Sequence, residues 1–222
     1  MPTAVADLKL KSLPLTGLKC PTGKRSDRNH AAVPLGIGAD RSFREKGRRH
    51  RTRMLKHANR AAELIGTLPG PDESIQVLIA ATIDGWAWVD ATIQLAGGIK
   101  TLYIATLGFN DRNADALITA IDNGKIGRVE MIASTYYAAT PDSIYPQLAE
   151  ALRSRGMRIA APRNHAKILA CKLPNGRTVT YHGSANLRSC RNVEQVAIEG
   201  SSRVFRFYRD YITDAIDAAG NA

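Results

Sequence analysis

Between residues 74 and 160, short apolar runs alternate with stretches of helical spacing. Residues 74–82 (SIQVLIAAT), 99–107 and 128–135 read as strands. Between them, residues 85–96 set Trp86, Val89, Ile93 and Ala96 at helical spacing and stop at Gly97-Gly98. A second helix, capped by Asn110 or Asp111, carries Leu117, Ile118 and Ile121 and ends at Gly124. A third spans residues 141–155, with Gly156 behind it. Strands alternating with helices of this length predict parallel crossovers and a sheet covered on both faces.

The rhythm changes after Gly156. Residues 157–161 predict a fourth strand, and residues 165–173 and 178–183 flank Pro174-Asn175-Gly176-Arg177, an Asn-Gly hairpin turn. Residues 192–199 predict a further strand and residues 204–219 a closing helix. Parallel units feeding an antiparallel hairpin give an α/β fold, a mixed β-sheet with helices on both faces. No internal duplication is visible.

Ahead of this domain, residues 41–68 are rich in helix formers, with Met54, Leu55, Ala58, Ala61, Ala62, Leu64 and Ile65 as a patchy stripe ended by Gly66 and Pro69. Residues 1–40 hold Pro, Gly and Lys without a period and read as a flexible arm. The expected organisation is a basic arm (1–40), a basic helical segment (41–70) and an α/β domain (71–222).

Charge sharpens that division. The net charge is +11, and residues 1–60 hold fifteen Lys and Arg against four acidic residues, the whole excess; the rest of the chain is balanced. A basic extension on a neutral body favours a polyanionic partner. An amphipathic membrane helix needs aromatic anchors, and residues 41–53 offer only Phe43, so nucleic acid, DNA or RNA, is the expected partner rather than a membrane. Arg44, Lys46, Arg48, Arg49, Arg51 and Arg53 are the expected phosphate contacts, against an ordinary solvated helix face. Cys20, Cys171 and Cys190 form no CxxC pair, which suits a reducing compartment and argues against zinc. Without a membrane-length apolar run or a signal-peptide pattern, a cytoplasmic protein is expected.

The chemistry-bearing residues gather around the hairpin. Asn164-His165-Ala166-Lys167 precede it, His182-Gly183-Ser184-Ala185-Asn186 close it, and Glu194 follows eight residues after Asn186. Residues two apart on a strand share a face, so His165 pairs with Lys167 and Ser184 with Asn186. A hairpin that brings both pairs together sets a nucleophile, a cation and neutral donors around one tetrahedral oxyanion. Nothing in the set resembles the oxygen cage that Mg²⁺ takes, and neither metal nor cofactor is expected. Taken singly, these residues have bland readings: a satisfied strand histidine, a solvated lysine, turn-forming Ser184 and Asn186. His182 shares the parity of Ser184. Trp86, Trp88, Tyr136 and Tyr137 offer faces for base stacking or, more ordinarily, for core and rim packing.

The pattern HxK, a hairpin, GSxN and a downstream carboxylate resembles the phospholipase D superfamily, on His165, Lys167, Gly183, Ser184, Asn186 and Glu194. The resemblance spans about residues 74–215, and the stretch SANLRSCRNVEQ is similar to single-motif proteins of phage and bacterial origin. It implies a metal-independent phosphodiesterase. His165 attacks phosphorus to form a phosphohistidine and Glu194 fixes its tautomer, while Lys167, Ser184 and Asn186 hold the non-bridging oxygens. A second histidine protonates the leaving oxygen. One motif per chain then implies a homodimer. The chain departs from the pattern at Lys172, where the family usually has Asp, and in the short spacing to Glu194. A nuclease is expected; a nucleic-acid-binding module with a degenerate site and, further back, a phospholipase are the alternatives.

Overall fold

The computed structural model describes residues 47–80, 83–187 and 193–220, with the side chains of residues 47–51 and 80 outside the description. Seven strands form one mixed sheet: β1 (Ser74–Ala80), β2 (Thr101–Ala105), β3 (Val129–Ile132), β4 (Arg158–Ala160), β5 (Ile168–Lys172), β6 (Thr178–Gly183) and β7 (Val193–Glu199). Their order is β1-β7-β6-β5-β2-β3-β4. Strands β2, β3 and β4 run parallel, as the crossovers predict, and the remaining pairings are antiparallel.

Helices cover both faces. On one lie α1 (Gly47–Ile65), α2 (Trp86–Ala96), α3 (Asp111–Asp122) and α5 (Tyr145–Arg153), whose Ala61, Trp88, Leu117 and Leu152 join Leu102, Met131, Cys171, Val179 and Ile198 of the sheet in the main core. On the other, α6 (Ser202–Gly220) lays Phe205, Ile212 and Ile216 on Ala105, Ile132, Ala160, Ile168 and Ala170. The alternation along β5 explains the split: Ile168 and Ala170 face α6, while Leu169 and Cys171 face the opposite layer.

Three expectations are corrected. Strand β1 is not a neighbour of β2; it closes the far edge against β7, with Ile79 opposite Glu194. Strand β3 ends at Ile132, because Ser134 Oγ accepts from Tyr136 N and starts a short helix, α4 (Thr135–Ala138). Strand β5 begins at Ile168, so His165 and Lys167 precede it instead of lying within it. Trp86 and Trp88, each 1% exposed, take the more ordinary of their two readings and pack in the core.

Burial under α1 also perturbs a carboxyl. Trp86 Nε1 donates to Asp90 Oδ1 at 3.0 Å. Burial pushes the Asp90 carboxyl up from 3.8 to about 7, opposed by the Trp86 N–H and assisted by the charge of Asp84. Within that window the folded chain keeps a proton that the unfolded chain has lost, so stability falls as pH rises. Asp90→Asn, neutral throughout, is expected to flatten the fall; urea midpoints measured across the window check it.

Candidate active site

The two segments flanking the hairpin meet at one end of it. Gly176, at φ 85°, makes the turn. The register Ile168 to His182 and Lys172 to Thr178 then brings the residues before β5 alongside those after β6, where Gly183 N donates to Lys167 O at 3.3 Å.

On the first segment, Lys167 Nζ lies 2.9 Å from His165 Nδ1 and donates to the His165 carbonyl at 2.7 Å. His165 itself is exposed. Burial lowers the Lys167 pKa, and the charge of Glu194 raises it in opposition. The ammonium thus touches the imidazole and feels the charge of Glu194 on β7.

The second segment leaves strand geometry at Gly183. Strict alternation sends Ser184 to the face of His182, whose ring packs on Tyr208 of α6 at 5.2 Å. Instead, Ser184 Oγ donates to the Glu194 carboxylate and accepts from Gln195 N at 3.0 Å. A Cβ at position 183 would collide with the Gln195 carbonyl, so only glycine allows β6 and β7 to close at this point. Glu194 thus reaches the site through Ser184; among the described residues no hydrogen bond joins it to the His165 ring, whose Nδ1 is at Lys167. Asn186 follows in the loop, where its carbonyl accepts from Gly85 N at 3.0 Å and its buried Oδ1 has no hydrogen-bond partner. Between these segments a narrow cleft is lined by Lys167, Gly183, Ala185, Gly85 and Trp88.

Asn164 is the functional residue that spacing alone does not flag. It is 6% exposed; its Nδ2 donates to Thr106 O at 3.0 Å, and its Oδ1 accepts from Ala166 N at 2.9 Å and Tyr211 OH at 3.2 Å. One amide thereby ties the segment after β2, helix α6 and the backbone between His165 and Lys167. Its signal is only a polar residue beside HxK.

Arg44 and Lys46 lie outside the described residues, as do the side chains of Arg48, Arg49 and Arg51. Arg53 is exposed and its Nε donates to His57 Nε2 at 3.4 Å. Among the described residues, no three His, Cys, Asp or Glu side chains gather as a metal site, and no helix is long and apolar enough to cross a membrane.

No family model and no curated protein matches the chain. Among solved structures it is similar to the phospholipase D family member Nuc from Salmonella typhimurium, with TM-score 0.46 and 16% identity over 64% of this chain and 94% of that one. It is similar to NucT from Helicobacter pylori, at TM-score 0.46 and 14% identity over 65% and 97% of the two chains. Polyphosphate kinase from Porphyromonas gingivalis matches at TM-score 0.48 and 14% identity over 64% of this chain, but over 26% of its own length.

Replacing Asn164 by Ala strands the buried carbonyl of Thr106 and the N–H of Ala166. The expected loss is about 1–3 kcal/mol of stability, read from urea unfolding. Asn164→Asp keeps the acceptor and lacks the donor to Thr106, so it should fall between wild type and Ala.

Proposed function

We propose that the chain is a metal-independent phosphodiesterase, a nuclease acting through a phosphohistidine intermediate as a homodimer. The observation that carries this reading is the partly buried Lys167 ammonium, in contact with His165 and facing Glu194, whose carboxylate holds the Ser184 hydroxyl. A cation touching an imidazole, with a hydroxyl held by a carboxylate that acts on the same cation, suits a phosphoryl group whose charge rises in the transition state.

The protons follow from the contacts. While Lys167 donates to Nδ1, a neutral His165 ring carries its hydrogen on Nε2 and has no free lone pair there with which to attack. When a phosphate oxygen draws Lys167 away, Nδ1 can take the hydrogen and Nε2 becomes the nucleophile. Nε2 then bonds to phosphorus as the P–O bond to the leaving oxygen breaks. The leaving oxygen takes a proton from a second histidine in its imidazolium form, and the neutral imidazole left behind then takes a proton from the water that hydrolyses the P–N bond. The chain has one HxK…GSxN set, so His165 of the partner subunit is the natural acid, in a two-fold dimer. In such a pair, the same residue is nucleophile in one subunit and acid in the other.

Nucleic acid, DNA or RNA, is the proposed substrate because the net charge of +11 lies wholly within residues 1–60, and the cytoplasm the proposed compartment because an odd number of cysteines without a CxxC pair suits reducing surroundings.

Cleavage of oligonucleotides should survive EDTA and fall roughly a thousandfold or more in His165→Ala. A labelled phosphoryl adduct should be trapped on wild type and not on that variant. Binding without cleavage of several DNA and RNA substrates in any buffer would leave a binding module, and headgroup release from phospholipid vesicles a lipase. A monomeric mass in solution would remove the two-fold acid.

A further inference from the structure

Helix α4 sets two adjacent tyrosines to opposite uses. Tyr137 is half-buried: its hydroxyl donates to Phe109 O at 2.9 Å and its ring packs on Phe109 at 4.9 Å. Tyr136 is 78% exposed. Its backbone is nevertheless firmly held, by the Ser134 cap, by the Thr135 hydroxyl on the Ala161 carbonyl, and by Thr135 N donating to Pro162 O at 2.9 Å. An aromatic ring normally hides its area in a core or an interface. Here an anchored turn presents one to solvent.

The ring stands beside the candidate active site. Tyr136, Arg163, Asn164 and His165 line one hollow together with Ser134 and Thr135. Arg163 is exposed and forms no ion pair among the described residues. Behind Tyr136 a second hollow carries Asp111 and Asp142 on its rim, which repel phosphate. Polarity therefore has a direction: anionic backbone is favoured on the Arg163 and His165 side of the ring.

We propose that Tyr136 and Arg163 form a nucleotide subsite adjoining His165, the ring stacking a base and the guanidinium holding a flanking phosphate, and hence that the substrate is a single-stranded polynucleotide. The inference rests on the phosphodiesterase reading for the phosphate at His165 and adds the neighbouring nucleotide. Stacking on a protein ring requires a base whose face is free. In a duplex both faces are covered by neighbouring pairs, whereas a single strand splays its bases at little cost. A lipid headgroup has no planar face to stack on the ring, and the comparison with phospholipid vesicles tests it directly.

Full-length wild type, Tyr136→Ala, Tyr136→Phe and Arg163→Gln are compared on a single-stranded oligonucleotide, on the same strand made abasic around the scissile position, and on a duplex. Tyr136→Ala should lower kcat/KM on the base-bearing strand by about tenfold, leave the abasic strand unchanged, and be rescued by Tyr136→Phe. Arg163→Gln should weaken both single strands equally and reduce the salt dependence of binding. Wild type should favour the single strand over the duplex. Equal losses on base-bearing and abasic strands, no loss in Tyr136→Ala, or a preference for duplex would each overturn the subsite. Anisotropy with a labelled single strand separates this from failure of the nuclease reading. Should no strand be cleaved, weaker binding in Tyr136→Ala, seen only for the base-bearing strand, still supports the subsite. Unaltered binding, or tighter binding to phospholipid vesicles than to the strand, overturns it.

Discussion

The close approach of Gly183 to the Gln195 carbonyl is the contact through which three strands come to share one site. At that point β6 is paired on both sides, with the Lys167 carbonyl accepting its N–H and β7 pressed against its Cα. Any side chain there would hold β7 away. The Ser184 hydroxyl would then lose the Glu194 carboxylate, and Lys167 the charge that opposes its desolvation. The glycine of GSxN thus has a steric reason, independent of any role toward a substrate.

Convergence at a sheet end has an electrostatic consequence. Lys167 is desolvated enough to lose some of its preference for the charged form, while the Glu194 carboxylate faces it and restores part of that preference. A cation in this balance exchanges partners readily, since its water shell is already partly stripped and its imidazole contact is replaceable. Ser184 is held in the same manner, its one hydrogen given to Glu194 and its oxygen accepting from Gln195 N. In the proposed reaction both groups would pass a hydrogen bond to the phosphate, with Glu194 acting on each. Asn164 limits what moves: its amide clamps the backbone at Ala166 to α6 and β2, so rearrangement is confined to side chains.

The hairpin was legible because Asn175-Gly176 specifies the turn and period-two alternation specifies the faces on either side. That alternation also kept Leu169 and Cys171 on one core and Ile168 and Ala170 on the other. What the pattern does not encode is where pairing stops. His165, Lys167, Ser184 and Asn186 all sit just beyond the strand ends, where local hydrogen bonds replace alternation, so the expectation that each pair shares a face rests on a rule that holds only within strands. The position of β1 was invisible because its partner β7 is more than a hundred residues away. Trp86 and Trp88 against Tyr136 make the same point for aromatics. All three suit stacking by composition, and tertiary packing alone buries the first two and exposes the third.

Lys172 looks different once the sheet is drawn. It closes β5 at the turn end of the hairpin, exposed, opposite Thr101 and Thr178. Five residues of nearly extended chain separate it from Lys167, roughly 16 Å at the rise of a strand. An exposed charge at that distance is largely screened at physiological salt, where the Debye length is about 8 Å. Lysine at this position therefore alters the solvated end of the sheet, not the field at His165. The departure that made a degenerate site worth weighing thus bears little on the chemistry. A choice between catalyst and binding module turns instead on the partners of His165 Nδ1 and on whether a second imidazole reaches the leaving oxygen.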